Sequence, residues 1–187
     1  MDLKIISGTD RPNSNALKIA HYIKPLYEAE NAEVEIVDLQ DFPIADVAGG
    51  KYGKKIPSVS KFINPIIEAD ALVFVIPEYN GSYPGILKLV IDYMPFPSAF
   101  EKMPMTFIGE SKGAFGGLRA VEQFQMVANY RNALQFPERL YISRVHKTFD
   151  EHTGLEDDFQ QKLLHSQVQN FVKFIRAVKN LEIEQFS

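Results

Sequence analysis

No cysteine occurs among the 187 residues, which excludes disulfides, thiolate nucleophiles, iron–sulfur clusters and thiolate-bound zinc. Any redox work must then be carried by a bound cofactor. No apolar run approaches the roughly 20 residues that span a bilayer, and Met1-Asp2-Leu3-Lys4 opens no signal-peptide apolar region. A cytoplasmic protein without a membrane partner is expected. A formal charge of -4 lacks the concentrated basic face that phosphate backbones need, so no nucleic-acid partner is expected. The four histidines, His21, His146, His152 and His165, form no pair at helical spacing, and no metal site is expected.

What is present is ordinary for a globular protein: 45% apolar and 24% charged residues. The length suits one domain over residues 1–187 with one sizeable core. Apolar periodicity predicts strands at Leu3–Ser7, Glu33–Leu39, Ala71–Ile76, Met103–Gly109 and Leu140–Ser143. It predicts helices over about Ala16–Glu30, Ser58–Glu68, Ile86–Met94, Leu118–Tyr130 and Leu155–Asn180. Pro25 is expected to kink or break the first helix, and Pro65 is an unfavourable helix residue in the second. Gln40–Pro57, with Gly49, Gly50, Gly53, Lys51, Lys54 and Lys55, reads as a long solvated loop. Strands alternating with helices imply an α/β fold, a flavodoxin-like three-layer sandwich. Its five-stranded parallel sheet has the order 2-1-3-4-5, with helices on both faces.

In a parallel sheet the turns after the first, third and fourth strands leave at one edge, where ligands of such sheets bind. The first, Gly8-Thr9-Asp10-Arg11-Pro12-Asn13-Ser14-Asn15, offers free amides at a helix start, the hydroxyls of Thr9 and Ser14, and the Arg11 charge, a set suited to a phosphate. Ser14 or Asn15 also serves as a plain helix cap. The second, Pro77-Glu78-Tyr79-Asn80-Gly81-Ser82-Tyr83-Pro84-Gly85, joins a buried strand to an amphipathic helix and is suited to gripping a planar ring. The third, Glu110-Ser111-Lys112-Gly113-Ala114-Phe115-Gly116-Gly117, is glycine-rich, which allows close approach of backbone to a ligand.

Gly109-Glu110-Ser111-Lys112-Gly113 also matches the nucleophile-elbow pattern of serine hydrolases, with Asp150 and His152 or His165 in the right chain order. No helix begins directly after Ser111, and Asp150 stands too close to His152 for the two to face it from separate loops. The match is therefore read as chance. Glu78 and Glu110 as an acid–base pair is likewise not favoured, and no catalytic acid, base or nucleophile is assigned. Phe96, Phe100, Phe115 and Phe136 are expected in core or subunit contacts.

Together the three loops resemble the NADPH-dependent FMN reductase family of flavodoxin-like proteins. The most specific part is Pro77-Glu78-Tyr79-Asn80-Gly81-Ser82-Tyr83-Pro84-Gly85 followed by Leu87-Lys88 and Ile91-Asp92. Ile6-Ser7-Gly8-Thr9 with Arg11, Ser14 and Asn15 resembles the family's phosphate loop, and Ser111 to Gly117 with Leu118-Arg119 its third loop. Val37-Asp38-Leu39 with Phe42-Pro43 also fits, so the likeness runs from Leu3 to about Leu140. The first loop is one residue shorter than the common form, and Leu89 stands where asparagine is frequent.

The resemblance implies noncovalent FMN, with its phosphate at Thr9, Arg11, Ser14 and Asn15. Its ring would lie against Pro77, Glu78, Tyr79, Asn80 and Gly81, and Ser111, Lys112 and Gly113 would flank the other edge. It implies NADPH or NADH as co-substrate and ping-pong transfer to a small acceptor: a quinone, an azo compound, a flavin or a metal oxyanion. It also implies a homodimer or homotetramer. Two alternatives share parts of the pattern: a non-enzymatic flavodoxin-type electron carrier, and the hydrolase built on Ser111.

Overall fold

The structure, a computed structural model, describes residues 1–179; Asn180, placed in the last helix from the sequence, lies outside that range. In chain order the elements are β1 (Asp2–Ser7), α1 (Asn15–Glu28), β2 (Glu33–Asp38), α2 (Ile44–Val47), α3 (Pro57–Ile67), β3 (Ala71–Pro77) and α4 (Gly85–Asp92). There follow β4 (Pro104–Glu110), α5 (Leu118–Tyr130), β5 (Leu134–Ile142), α6 (Val145–Thr148), β6 (Phe149–Asp150), β7 (Gly154–Leu155) and α7 (Asp158–Lys179).

The main sheet has the order β2-β1-β3-β4-β5 with every pairing parallel. Successive residues of a strand point to opposite faces, and the sheet is covered on both. Ile6, Phe74 and Phe107 pack under α3, α4 and α5, while Leu3, Ile5, Val73, Val75 and Ile108 pack under α1 and α7. This is why β3 reads as an unbroken apolar run: all seven of its residues are buried. Among the described residues no helix is long and apolar enough to cross a membrane.

Three expectations need correction. The first helix passes through Pro25 and ends at Glu28. Pro25 lies on the exposed side of the helix, and Tyr27, wholly buried in the next turn, holds it against the core. Packing outweighs the lost backbone bond.

The Gln40–Pro57 stretch is more ordered than a loose loop. It carries a 3-10 turn at Leu39–Asp41 and helix α2, buries Phe42 and Val47, and stacks Tyr52 on Tyr93 at 4.8 Å.

The fifth strand starts at Leu134, six residues earlier than its apolar pattern suggests. Pro137 breaks that pattern, but β5 is an edge strand and its pairing with β4 shifts between Met105 and Phe107, which accommodates a residue without a donor. The irregular stretch is bridged by Gln167 of α7. Its Nε2 donates to Thr106 Oγ1 (3.1 Å), Phe107 O (3.1 Å) and Glu138 O (3.0 Å).

The aromatic set divides. Phe100 and Phe136 are core, whereas Phe96 and Phe115 are exposed. Helix α6 and the β6–β7 hairpin, too short to leave a periodic signal, were not anticipated.

Candidate cofactor site

The carboxyl ends of β1, β3 and β4 lie side by side, so the three loops meet on one rim. Between them is a cavity of about 470 Å³ lined by Arg11, Pro12, Asn13, Ser14, Asn15, Pro77, Glu78, Tyr79, Glu110, Ser111, Lys112 and His146. A smaller one of about 230 Å³ shares Glu78, Ser111 and Lys112 with it and continues along Asn80, Gly81, Gly113, Phe115 and Arg119. The two together bring eleven of the twelve sequence-chosen residues to the walls.

Thr9 is the exception. It is wholly buried, with its Oγ1 3.0 Å from the Tyr79 hydroxyl and accepting the Arg11 N–H at 3.3 Å. It underlies the cavity, tying the first loop to the second.

The chain turns sharply at Gly8, whose N–H donates to Val75 O at 2.9 Å. A Cβ there would stand 2.7 Å from that same carbonyl, so only glycine lets the first loop cross β3 so closely. Ser14 then caps α1 by accepting the Leu17 N–H at 3.1 Å. The cap does not consume the hydroxyl, because its own proton remains to donate. The first amides of α1 and the helix dipole add to an anion-binding corner beside Arg11.

Tyr79 and Ser82 exchange backbone bonds of 2.8 and 3.0 Å around Asn80 and Gly81, both with positive φ (52° and 76°). Positive φ at both central residues is the geometry an Asn-Gly pair adopts readily in a tight two-residue turn. Gln123 of α5 holds its tip, donating to Gly81 O (2.9 Å) and accepting from Ser82 Oγ (2.6 Å). The third loop is pinned from the other side: Arg144 N–H donates to Gly113 O at 2.9 Å and Val145 N–H to Ser111 O at 3.0 Å.

Charge in the site is mixed. Arg119 Nη1 donates to Glu78 Oε1 at 3.2 Å while its guanidinium lies 4.5 Å over the Phe115 ring. The other oxygen, Glu78 Oε2, is buried without a hydrogen-bond partner among the described residues. Glu110, the last residue of β4, is also buried, and loss of water pushes its carboxyl up to about 7 despite Arg11 and Lys112 nearby.

Glu110 and His146 were not picked as ligand residues from the sequence. The strand-end rule that found the three loops reaches both, since Glu110 closes β4 and His146 follows β5. The hydrolase partners are elsewhere engaged. Ser111 Oγ donates to Gly113 O at 3.3 Å, Asp150 Oδ1 accepts the His152 and Thr153 amides, and His165 bonds Gln161.

A doubly wound parallel sheet of order 2-1-3-4-5 with a cleft at the carboxyl ends of its strands defines a flavodoxin-like fold. Residues 1–147 match the family model described as NADPH-dependent FMN reductase. The chain belongs to that family of FMN-dependent oxidoreductases. An NAD(P)H-dependent FMN reductase of Pseudomonas aeruginosa is 32% identical, over 95% of this chain and 98% of its own. A 2-hydroxy-1,4-benzoquinone reductase of a Burkholderia species is 26% identical, over 94% and 97%. Among solved structures, the flavoenzyme NAD(P)H:(acceptor) oxidoreductase FerB from Paracoccus denitrificans superposes with a TM-score of 0.79 at 25% identity, over 94% of this chain and 97% of that one.

Proposed function

We propose that this chain, as one flavodoxin-like FMN-binding domain, takes reducing equivalents from NAD(P)H and delivers them to a small acceptor by a ping-pong scheme. When bound, FMN supplies the redox chemistry, accepting a hydride and passing electrons on. The observation that carries the reading is the meeting of three strand-end loops on one cavity in a chain of this family. About 470 Å³ is in the range of cofactor pockets. The unpartnered Glu78 Oε2 calls for a polar ligand edge bearing a donor.

In this reading Arg11, Ser14, Asn15 and the first amides of α1 hold the phosphate, with Thr9 supporting them from below. Pro77, Glu78, Tyr79, Asn80 and Gly81 form one wall for the ring, and Ser111, Lys112 and Gly113 the other. The protein's own contribution is to bind, orient and exclude water, so no side chain need act as nucleophile. The smaller cavity beside Gly81, Phe115 and Arg119 gives a co-substrate or acceptor room next to the ring.

The acceptor in this reading is a quinone or an azo compound, the substrates named for relatives of this chain, or else a flavin or a metal oxyanion. A cytoplasmic homodimer or homotetramer fits the exposed stack of Phe96 on Tyr130, with Met126 also exposed. Anaerobic stopped flow tests the proposal. Mixing FMN-loaded protein with NADPH or NADH should bleach the oxidised flavin, and a quinone should restore it. Bleaching no faster than that of free FMN would identify an electron carrier instead.

A further inference from the structure

Glu110 is a carboxyl in a place that a dianionic cofactor should make costly. It lines the main cavity together with the anion corner of the first loop, and it is 5% exposed. Its main chain is locked: Glu110 is paired in the sheet with Pro77 on one side and Ile142 on the other, its carbonyl accepts the Glu78 N–H at 3.0 Å, and a Cβ on Gly117 would stand 2.6 Å from its nitrogen. The side chain therefore cannot leave by a simple backbone shift.

The groups facing it are Arg11 on the first loop, Lys112 on its own loop, Glu78 and Tyr79 beyond β3, and His146 on α6. Arg11 and Lys112 attract it through space, but neither forms an ion pair with it. A phosphate at Arg11 and the α1 amides would claim that cation and add like charge. Both effects favour the neutral carboxyl. Neutral, it gains an O–H donor, and among the described residues its carboxyl has no hydrogen-bond partner that would already take that proton.

Resting on the FMN reading above, we propose that FMN enters this site together with one proton, held by the Glu110 side chain, so that cofactor affinity falls as the solution becomes alkaline. Glu110 is then a cofactor-binding residue whose protonated form is the competent one. The balance is simple: ionised Glu110, a proton from solvent and the FMN dianion give a complex with a neutral carboxyl. Glu110 in the free protein already sits near neutrality. The dependence therefore emerges above about pH 7, where a phosphate monoester with a second ionisation near 6 is already dianionic.

The test is FMN titration by fluorescence quenching from about pH 6 to about pH 9, on wild type, Glu110→Gln and His146→Gln. Above about pH 7.5 wild-type affinity should fall by nearly tenfold per pH unit, with the same slope in His146→Gln and almost none in Glu110→Gln. Calorimetry in two buffers of different ionisation heat should count about one proton taken up per FMN by wild type at about pH 8. That count does not depend on any variant folding. Zero uptake, an unchanged slope in Glu110→Gln, or a slope abolished in His146→Gln would overturn the proposal. Failure of wild type to bind FMN at any pH would instead remove the reading on which it rests, and the proposal with it.

Discussion

The Tyr79 hydroxyl lies 3.0 Å from Thr9 Oγ1, joining the loop after β3 to the loop after β1 across 70 residues of chain. Thr9 is wholly buried and also accepts the Arg11 N–H, so one hydroxyl ties Tyr79 and the Arg11 backbone together, the two residues proposed to meet the ring and the phosphate. Tyr79→Phe keeps the ring and removes the clasp. A neutral hydrogen bond contributes about 0.5–1.5 kcal/mol, so global stability should fall by about that much, and FMN binding, which depends on the placement of both loops, should weaken by up to roughly tenfold, measured by fluorescence quenching. Equal affinity in the variant would show that the two loops are positioned independently.

Glu110 makes the free protein's stability depend on pH in a stated direction. Its carboxyl is raised from 4.5 to about 7 in the folded chain. Between those values the folded chain binds a proton that the unfolded chain has released, so this group's contribution becomes less favourable as pH rises and is fully unfavourable above about 7. The shift corresponds to on the order of 3 kcal/mol. The Tm of Glu110→Gln should therefore exceed that of wild type by on the order of 5–10 °C at about pH 8, narrowing toward pH 5. Thermal unfolding of the FMN-free protein across that range checks it; a constant difference would mean that the carboxyl is not the cause.

Tyr27 is wholly buried among the residues under α1 and α7, edge-on to Phe171, and its hydroxyl has no partner among the described residues. Burial pushes its ionisation far upward, so it stays neutral at any working pH. Removing an unpaired buried hydroxyl while keeping the ring relieves a desolvation cost of about 1–3 kcal/mol. Tyr27→Phe should leave the Tm unchanged or raise it. A drop of several degrees would show that a partner satisfies the hydroxyl in solution.

Gln167 offers the opposite case. Its amide donates to three acceptors where the β4–β5 register is irregular. Gln167→Leu leaves those oxygens buried without that donor, at a cost of about 2–4 kcal/mol, seen as a lowered midpoint in urea unfolding. Because no residue of α7 lines the two rim cavities, FMN affinity in the folded fraction should not change.

Much of this architecture was legible in the sequence, and the reasons differ by element. The buried run Ala71–Ile76 and the helix Leu118–Tyr130 declare themselves by period and length, and each was placed within a residue of its observed bounds. Parallel order then brought the three loops together without knowledge of any side chain. Residues 134–139 of β5 did not declare themselves, because Pro137, Glu138 and Arg139 face solvent on an edge strand and carry no apolar alternation. The role of Thr9 was also hidden. Whether a loop hydroxyl points to a ligand or underpins a neighbouring tyrosine depends on contacts 70 residues away. Glu110 was visible as a residue but not as a buried one, since burial at a strand end is decided by the loops that fold over it.

FMN and riboflavin titrations of wild type and Arg11→Ala, read by quenching of flavin fluorescence, test the central claim most directly. The two flavins share ring and ribityl chain and differ in the phosphate. If Arg11 and the start of α1 form the anion corner of a single flavin site, wild type binds FMN more tightly than riboflavin. Arg11→Ala should then weaken FMN by about tenfold or more, the loss of a charge-assisted hydrogen bond, while riboflavin affinity barely moves. Absence of FMN binding by wild type, or an equal loss for both flavins in the variant, would contradict the account.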